Sequence, residues 1–403
     1  MMQAPTSHLA LPFFDDVHRE LAKNLSAWAP LQNVDERDDR AACLEWVRRL
    51  GKDGWLRYCV PAAHGGAMER LDSRALVILR ETLAFHSPLA DFAFAMQGLG
   101  SGAITLAGTP QQQATFLTGV ASGSMLAAFA LSEANAGSDA GAMTTSAVRD
   151  SSGNGNAWLL NGEKTWISNG GLAHFYCVFA KTAPDAGTRG ITAFIVDANS
   201  PGLDTSQHIQ VMSPHPLATL KFNNCRVPAS GQLGALNGGF KLAMQTLDIF
   251  RASVAGAALG MARRALAEAV SFAKQRRMFG QTLADFQITQ AKLGEMSALV
   301  DAAALLTYRA AWMRDDGERR GVVHMTAEAG ERKNRSVSAA MAKMAATENA
   351  SKVIDMALQM HGGMGVKVGT KVESLYRDIR SLRIYEGATE VQQLIIGKSV
   401  LQG

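Results

Sequence analysis

The sequence predicts a mostly α protein with a central β domain: an N-terminal helical domain over 1–127, a small β-barrel-like domain over 128–235, and a C-terminal four-helix bundle over 236–403. Three observations predict this. Apolar residues recur at three- and four-residue spacing through both ends of the chain, the helical period. Short β-rich runs bounded by Gly, Pro and Asp fill the middle. Strands and helices nowhere alternate, which excludes a doubly wound parallel sheet. No GxGxxG motif follows a strand, so any dinucleotide is held by another device.

The helical reading of the first region rests on segments such as 41–51 (AACLEWVRRLG) and 73–84 (SRALVILRETLA), punctuated by Pro61, Gly65, Gly66, Pro88 and Pro110. In the middle region, 158–167 reads as strand, Asn161-Gly162 turn and return strand. Further strands are expected at 175–180, 191–196 and 220–227, the last running into Pro228. Helical periodicity then returns, predicting helices near 238–275, 285–315, 335–361 and 387–401. Between the second and third lies a mixed-charge stretch, 317–335, whose near-balance of acids and bases reads as a solvated loop or short helix.

Composition narrows the classes. Of the 403 residues 47% are hydrophobic and 19% charged, as in a well-buried globular protein, and the net charge of +4 is too small for a dedicated nucleic-acid binder. The four cysteines are scattered, which gives no disulfide framework and no metal site and makes a reducing compartment the expectation. No uninterrupted apolar run is long enough to cross a bilayer, and the first residues lack the pattern of a signal or transit peptide. The expected location is cytoplasmic.

Five segments, in order, resemble the acyl-CoA dehydrogenase family: FALSEANAGSD (129–139), NGEKTWISNG (161–170), FAKQRRMFGQTLADFQ (272–287), QMHGGMGV (359–366) and RIYEGATEVQ (383–392). The resemblance implies FAD as cofactor and the helical, β, helical-bundle order already read from the pattern. It also implies site residues. Phe129, Leu131 and Ser132 would contact the flavin ring, with Ser138 near the CoA arm. Trp166 would pack on the flavin and Ser168 would hydrogen-bond its hydride-accepting nitrogen. Arg276 would meet the FAD pyrophosphate, as a guanidinium fork does well. Phe279 and Gln287 would lie near the adenosine end of a neighbouring subunit's FAD, which makes a homo-oligomer, dimer or tetramer, the expectation. Gln359 and Gly363 belong to a glycine-rich stretch that lets backbone approach the cofactor, while His361 within it reads as a packed histidine. The chain departs from the family pattern at Ser132 (commonly Thr), Ala134 (commonly Pro) and Ala388, where a threonine commonly touches FAD; Thr389 or Glu390 is the expected substitute.

The chemistry implied is removal of a proton α to a thioester carbonyl, which requires a desolvated carboxylate and donors on the carbonyl oxygen. Glu386 stands at the family's base position, between Tyr385 and Gly387. Some members carry the base on the first bundle helix instead, before an arginine; here that place is Phe250, before Arg251, and phenylalanine cannot serve. Arg251, Tyr385 and Gly387 are expected around the substrate. The run 94–102 is rich in small residues, which either leaves room for a medium, branched or cyclic acyl group or marks close helix packing. An electron-transfer flavoprotein is the expected electron acceptor. The alternatives are an oxidase or a dehydrogenase of carrier-protein-bound thioesters on the same fold, and a non-catalytic paralogue acting as a binding partner.

Overall fold

The computed structural model describes residues 2–150, 156–319 and 329–402. Five helices come first: α1 (Asp16–Trp28), α2 (Asp39–Lys52), α3 (Ser73–His86), α4 (Pro88–Ala107) and α5 (Pro110–Ser122). Eight strands follow: β1 (Ala127–Ala130), β2 (Ser146–Arg149), β3 (Ala157–Ser168), β4 (Phe175–Lys181), β5 (Ile191–Asp197), β6 (Leu203–Ile209), β7 (Leu217–Pro228) and β8 (Gln232–Leu233). Then come α6 (Gly239–Gln275), the two-residue strands β9 (Arg277–Met278) and β10 (Gln281–Thr282), α7 (Gln287–Arg319), α8 (Ala329–Met360), α9 (Lys371–Leu382) and α10 (Thr389–Leu401). The centre of the mixed-charge stretch, 320–328, lies outside the described residues.

Local chemistry sets several of these boundaries. Asp38 caps α2 by accepting from the backbone N–H groups of Arg40 and Ala41 at 3.0 and 3.1 Å. Thr109 and Gln112 form a reciprocal capping box at the start of α5, with Pro110 in the first turn where its missing N–H costs nothing. Pro88 likewise opens α4 after α3 has ended at His86.

The chain divides into two compact units. One comprises Val34–Leu71 and Phe92–Leu247, the other Met1–Asn33, Asp72–Asp91 and Asp248–Gly403. In the first of these, the strands run in the order β6-β7-β3-β2-β4-β5-β8, with β1 parallel to β4. β4 and β5 are buried on both faces and read as continuous apolar runs, FYCVFA and ITAFIV. Trp158, Tyr176, Val178, Phe194, Leu220 and Val227 fill the core beneath the sheet. The expected Asn161-Gly162 turn does not form. β3 runs unbroken through it as a bulged strand, with a register shift against β7 between Leu160 and Gly162. The Asn161 side chain donates to Asn224 Oδ1 (3.0 Å) and accepts from the Asn224 N–H (2.8 Å), which ties the segment across to β7. On α4, Gly100 lies so close to β1 that a Cβ would sit 2.7 Å from Ala127, so here the small residue serves packing.

In the other unit, α8 packs against α7, α9 and α10. α9 is an addition to the helices read from the sequence. Its charge-dense segment KVESLYRDIRSL still buries Val372, Leu375, Ile379 and Leu382 along one face. Buried charges on α3 are paired: Arg80 bonds both Asp91 oxygens at 2.8 and 3.0 Å, and Glu81 accepts from Arg263 (2.6 Å) and Tyr308 (2.8 Å).

Candidate active site

Glu386 sits in the turn between α9 and α10, and its backbone adopts the left-handed conformation, φ 53°. Gly387 continues the turn at φ 93°, a value that favours glycine. Two buried side chains hold this turn from below by donating to the Gly387 carbonyl: Lys343 Nζ at 2.8 Å and Gln392 Nε2 at 2.9 Å. Lys343, on α8, is 0% exposed. The Glu386 carboxylate turns inward, and its Oε2 is buried without a hydrogen-bond partner.

The electrostatics follow from that placement. Burial pushes the Glu386 carboxyl above its usual range, while Arg80, Lys343 and Arg251 pull the other way and Asp91 reinforces the rise. Burial also lowers the Lys343 ammonium to about 8, against the attraction of Glu386. Burial opposes the Arg80 charge, but Asp91 more than compensates and holds it fully protonated. Tyr385 is pushed up by burial, with Arg80 countering. Arg251 pairs with Asp248, which also accepts from Ser336 Oγ at 2.9 Å, and its Nε is buried without a partner. This unit thus assembles a desolvated carboxylate with an unused oxygen inside a ring of cations. Such a group is suited to taking up a proton. Phe250 is buried apolar wall, as its side chain requires.

Other predicted residues of the same unit fall into three groups. Arg276, Gln359 and Gly363 line one cavity of about 680 Å³ with Lys292, Thr289 and Gly362. Its two cationic side chains and two open glycines suit an anionic diphosphate. His361 lines it too, stacked on Phe272 at 4.3 Å with Nδ1 2.7 Å from the Ala357 carbonyl, a packed histidine. Phe279 lies outside this cavity, 87% exposed on the β9–β10 hairpin, and Gln287 is exposed at the start of α7. Thr389 is buried, and its hydroxyl donates to Glu348 (2.6 Å), which also binds Arg383 (2.8 Å).

In the sheet unit, Phe129, Leu131 and Ser132 are brought beside Trp166 and Ser168 because the Ser132 carbonyl accepts from the Thr165 N–H at 3.0 Å. Beneath them Lys164, buried in full, donates to the Leu131 carbonyl (3.0 Å) and to Glu133 (2.8 Å). Glu133 in turn accepts from the Thr144 and Thr145 N–H groups. Burial lowers Lys164 to about 8; burial alone would raise Glu133, but Lys164 brings it to about 2. Trp166 occupies a second bulge of β3, left-handed at φ 61°, with its indole 57% exposed. An apolar ring held outward at a bulge is a platform for a flat heterocycle. Ser168 Oγ lies 3.2 Å from His215 Nε2. Ser138 is exposed in the loop before the 3-10 turn Ala140–Ala142.

Sequence reasoning missed Lys343, Gln392, Arg80, Lys164 with Glu133, and His215. A signal existed for Lys343: it stands alone among Ala339, Ala340, Ala342 and Ala346, a small-residue surface that encloses whatever it carries.

The chain matches the acyl-CoA dehydrogenase N-terminal domain over residues 14–124, the middle domain over 128–225 and the C-terminal domain over 237–401. It is 37% identical over 361 residues to the CarC subunit of the caffeyl-CoA reductase-Etf complex of Acetobacterium woodii, covering 89% of this chain and 90% of that one. Among solved structures it is similar to butyryl-CoA dehydrogenase from Megasphaera elsdenii, with TM-score 0.87, 32% identity, and coverage of 96% of this chain and 99% of the other. It is also similar to an acyl-CoA dehydrogenase from Bacillus anthracis complexed with FAD, with TM-score 0.88, 29% identity, and coverage of 96% and 67%.

Proposed function

The chain belongs to the acyl-CoA dehydrogenase family, and from that premise we propose that it oxidises an acyl-CoA thioester to the trans-2-enoyl thioester with Glu386 as base. It is an FAD-dependent oxidoreductase. Bound FAD supplies the hydride acceptor for the β carbon. The observation that carries the reading is the Glu386 carboxylate, whose inward oxygen has no partner and whose burial raises its proton affinity.

Each protein group then has a task. Glu386 takes the α proton onto its carboxylate. Its own backbone N–H, in the left-handed turn, donates to the thioester oxygen as negative charge develops there. Arg80, Lys343 and Arg251 favour the ionised carboxylate and oppose the rise that burial causes. Tyr385, Gly387 and Arg251 wall the substrate, and Ser138 meets the CoA arm. Phe129, Leu131, Ser132, Trp166 and Ser168 hold the flavin ring, Arg276 its pyrophosphate, with Gln359 and Gly363 alongside; Phe279 and Gln287 serve a neighbouring subunit's FAD, and Thr389 stands in against FAD for the threonine that Ala388 replaces. We further propose the three-part division at 127 and 235, a homo-oligomer, a cytoplasmic location, and an electron-transfer flavoprotein as acceptor. The last is supported by the relative that is a subunit of a reductase-Etf complex. Run toward saturation, the same reaction returns the proton from Glu386 to the α carbon, so one base serves either direction.

The test is Glu386→Gln, mixed anaerobically with a panel of acyl-CoA thioesters. It binds FAD and thioester but does not bleach the flavin. Bleaching at a near-normal rate places the base elsewhere.

A further inference from the structure

The Ser168 hydroxyl has one proton and two lone pairs, and its protein contact decides how that proton is used. His215 Nε2 lies 3.2 Å from Ser168 Oγ. Two arrangements satisfy that distance. If the imidazole is bare at Nε2, Ser168 spends its proton on His215 and shows only lone pairs outward. If Nε2 carries the proton, His215 donates and the hydroxyl proton stays available. A ring nitrogen about to receive hydride carries a lone pair and accepts hydrogen bonds, so only the second arrangement makes Ser168 a useful partner.

His215 is built into its place. It lies between β6 and β7, where its backbone N–H donates to Asp39 Oδ2 at 3.1 Å. The next residue, Pro216, accepts from the Asn169 N–H at 3.0 Å, so the His215 and Ser168 segments are joined by backbone as well. The His215 ring rests on Phe92 with 3.9 Å between centroids. Burial lowers the imidazole to about 3, so it is neutral, with one proton to place, at any ordinary pH.

We infer that His215 is a positioning residue that donates its Nε2–H to Ser168 Oγ and thereby keeps the Ser168 proton directed at the flavin. This rests on the reading of Ser168 as the flavin's hydrogen-bond donor. No signal for His215 stands in the motifs; it lies within SPHP, and the fold alone brings it to Ser168.

The test compares FAD-loaded wild type, Ser168→Ala, His215→Leu and His215→Gln by flavin absorption spectrum and by single-turnover reduction with an acyl-CoA. The glutamine amide can donate from near the Nε2 position. His215→Leu should reproduce the spectral change of Ser168→Ala and slow reduction about fivefold to tenfold, the worth of one hydrogen bond, while His215→Gln restores both. A flavin spectrum changed by Ser168→Ala but untouched by His215→Leu overturns the inference and leaves the Ser168 reading intact. If neither variant changes the spectrum, Ser168 is not the flavin's partner and both fall. Nitrogen NMR of labelled histidine in the wild-type protein, with His215→Gln assigning the resonance, reads the tautomer without relying on the leucine variant. A protonated Nε2 supports the inference, and a bare Nε2 refutes it.

Discussion

Replacing Lys343 by methionine should move the acid limb of the rate–pH profile upward. The substitution keeps the length of the chain inside α8 but removes both the ammonium and its 2.8 Å bond to the Gly387 carbonyl. Two unit charges ~4 Å apart interact by about 4 kcal/mol at an effective dielectric of ~20. Lys343 bonds the carbonyl beside Glu386 and not the carboxylate, so its distance to the carboxylate is longer and the loss smaller, on the order of 1–2 kcal/mol, which is about a tenfold change in the ionised fraction. Lys343 lowers the Glu386 pKa, so its loss raises an already elevated value. A base works deprotonated, so the variant is slower below its new pKa, by about tenfold where the wild type is still on its acid limb, and approaches the wild type as pH rises. Burial lowers Lys343 to about 8, so its charge is present below pH 8 and the comparison is made there. Stopped-flow flavin reduction against pH gives both quantities, and Lys343→Arg, which keeps the charge, should leave the limb in place. An unmoved limb with a uniformly lowered plateau would show that Lys343 only props the turn; a limb moved to lower pH would refute the electrostatic reasoning outright.

Arg80→Met strands the buried Asp91 carboxylate and should cost about 3–5 kcal/mol in urea unfolding, whereas adding Asp91→Leu recovers most of it; equal loss in single and double variants would contradict the pairing. Trp166→Gly should separate stability from binding. It relieves a left-handed backbone, so the apoprotein melts no lower than wild type and gains up to about 1 kcal/mol, while FAD titration shows weaker binding; unchanged FAD affinity would remove the indole from the cofactor site.

The large-scale architecture was legible because it depends on local patterns. Long Ala- and Leu-rich periods gave α6, α7 and α8, and continuous apolar runs gave β4 and β5. What escaped depends on partners far along the chain. The segment 73–84 reads as a helix, but nothing local shows that its Arg80 and Glu81 are enclosed; Glu81 pairs with Arg263, a residue 182 positions away, and Arg80 also reaches Ser253 across 173. The Asn161-Gly162 pair has turn chemistry, but asparagine hydrogen bonds to β7 outweigh it and convert the turn into a bulge. α9 was hidden because its polar face is so charged that its four buried apolar residues make a thin stripe. The motifs contain Glu386, Trp166 and Ser168, and also Gln392, Lys164 and Glu133, whose supporting roles only the fold reveals; Lys343, Arg80 and His215 lie outside any motif.

Backbone strain ties the two halves of that observation together. Among the described residues, six that are not glycine have left-handed φ: Trp166, Asn169, Asn224, Asn237, Phe279 and Glu386. Three are asparagines, which enter that region readily. For tryptophan, phenylalanine and glutamate the same conformation costs on the order of 1–2 kcal/mol each. A fold tolerates such a cost only where the surroundings overdetermine the backbone. They do so here at two of the three. Lys343 and Gln392 both bond the carbonyl after Glu386, and Thr165 and Asn169, flanking Trp166, donate to the Ser132 and Pro216 carbonyls. All three strained residues stand in the motifs that the sequence marks for chemistry. A high-pH plateau that falls in Lys343→Met, beyond the moved limb, would therefore read a loss of Glu386 direction separate from its charge environment. The Lys343→Arg control keeps the charge, so any loss of plateau rate it shows isolates direction from charge.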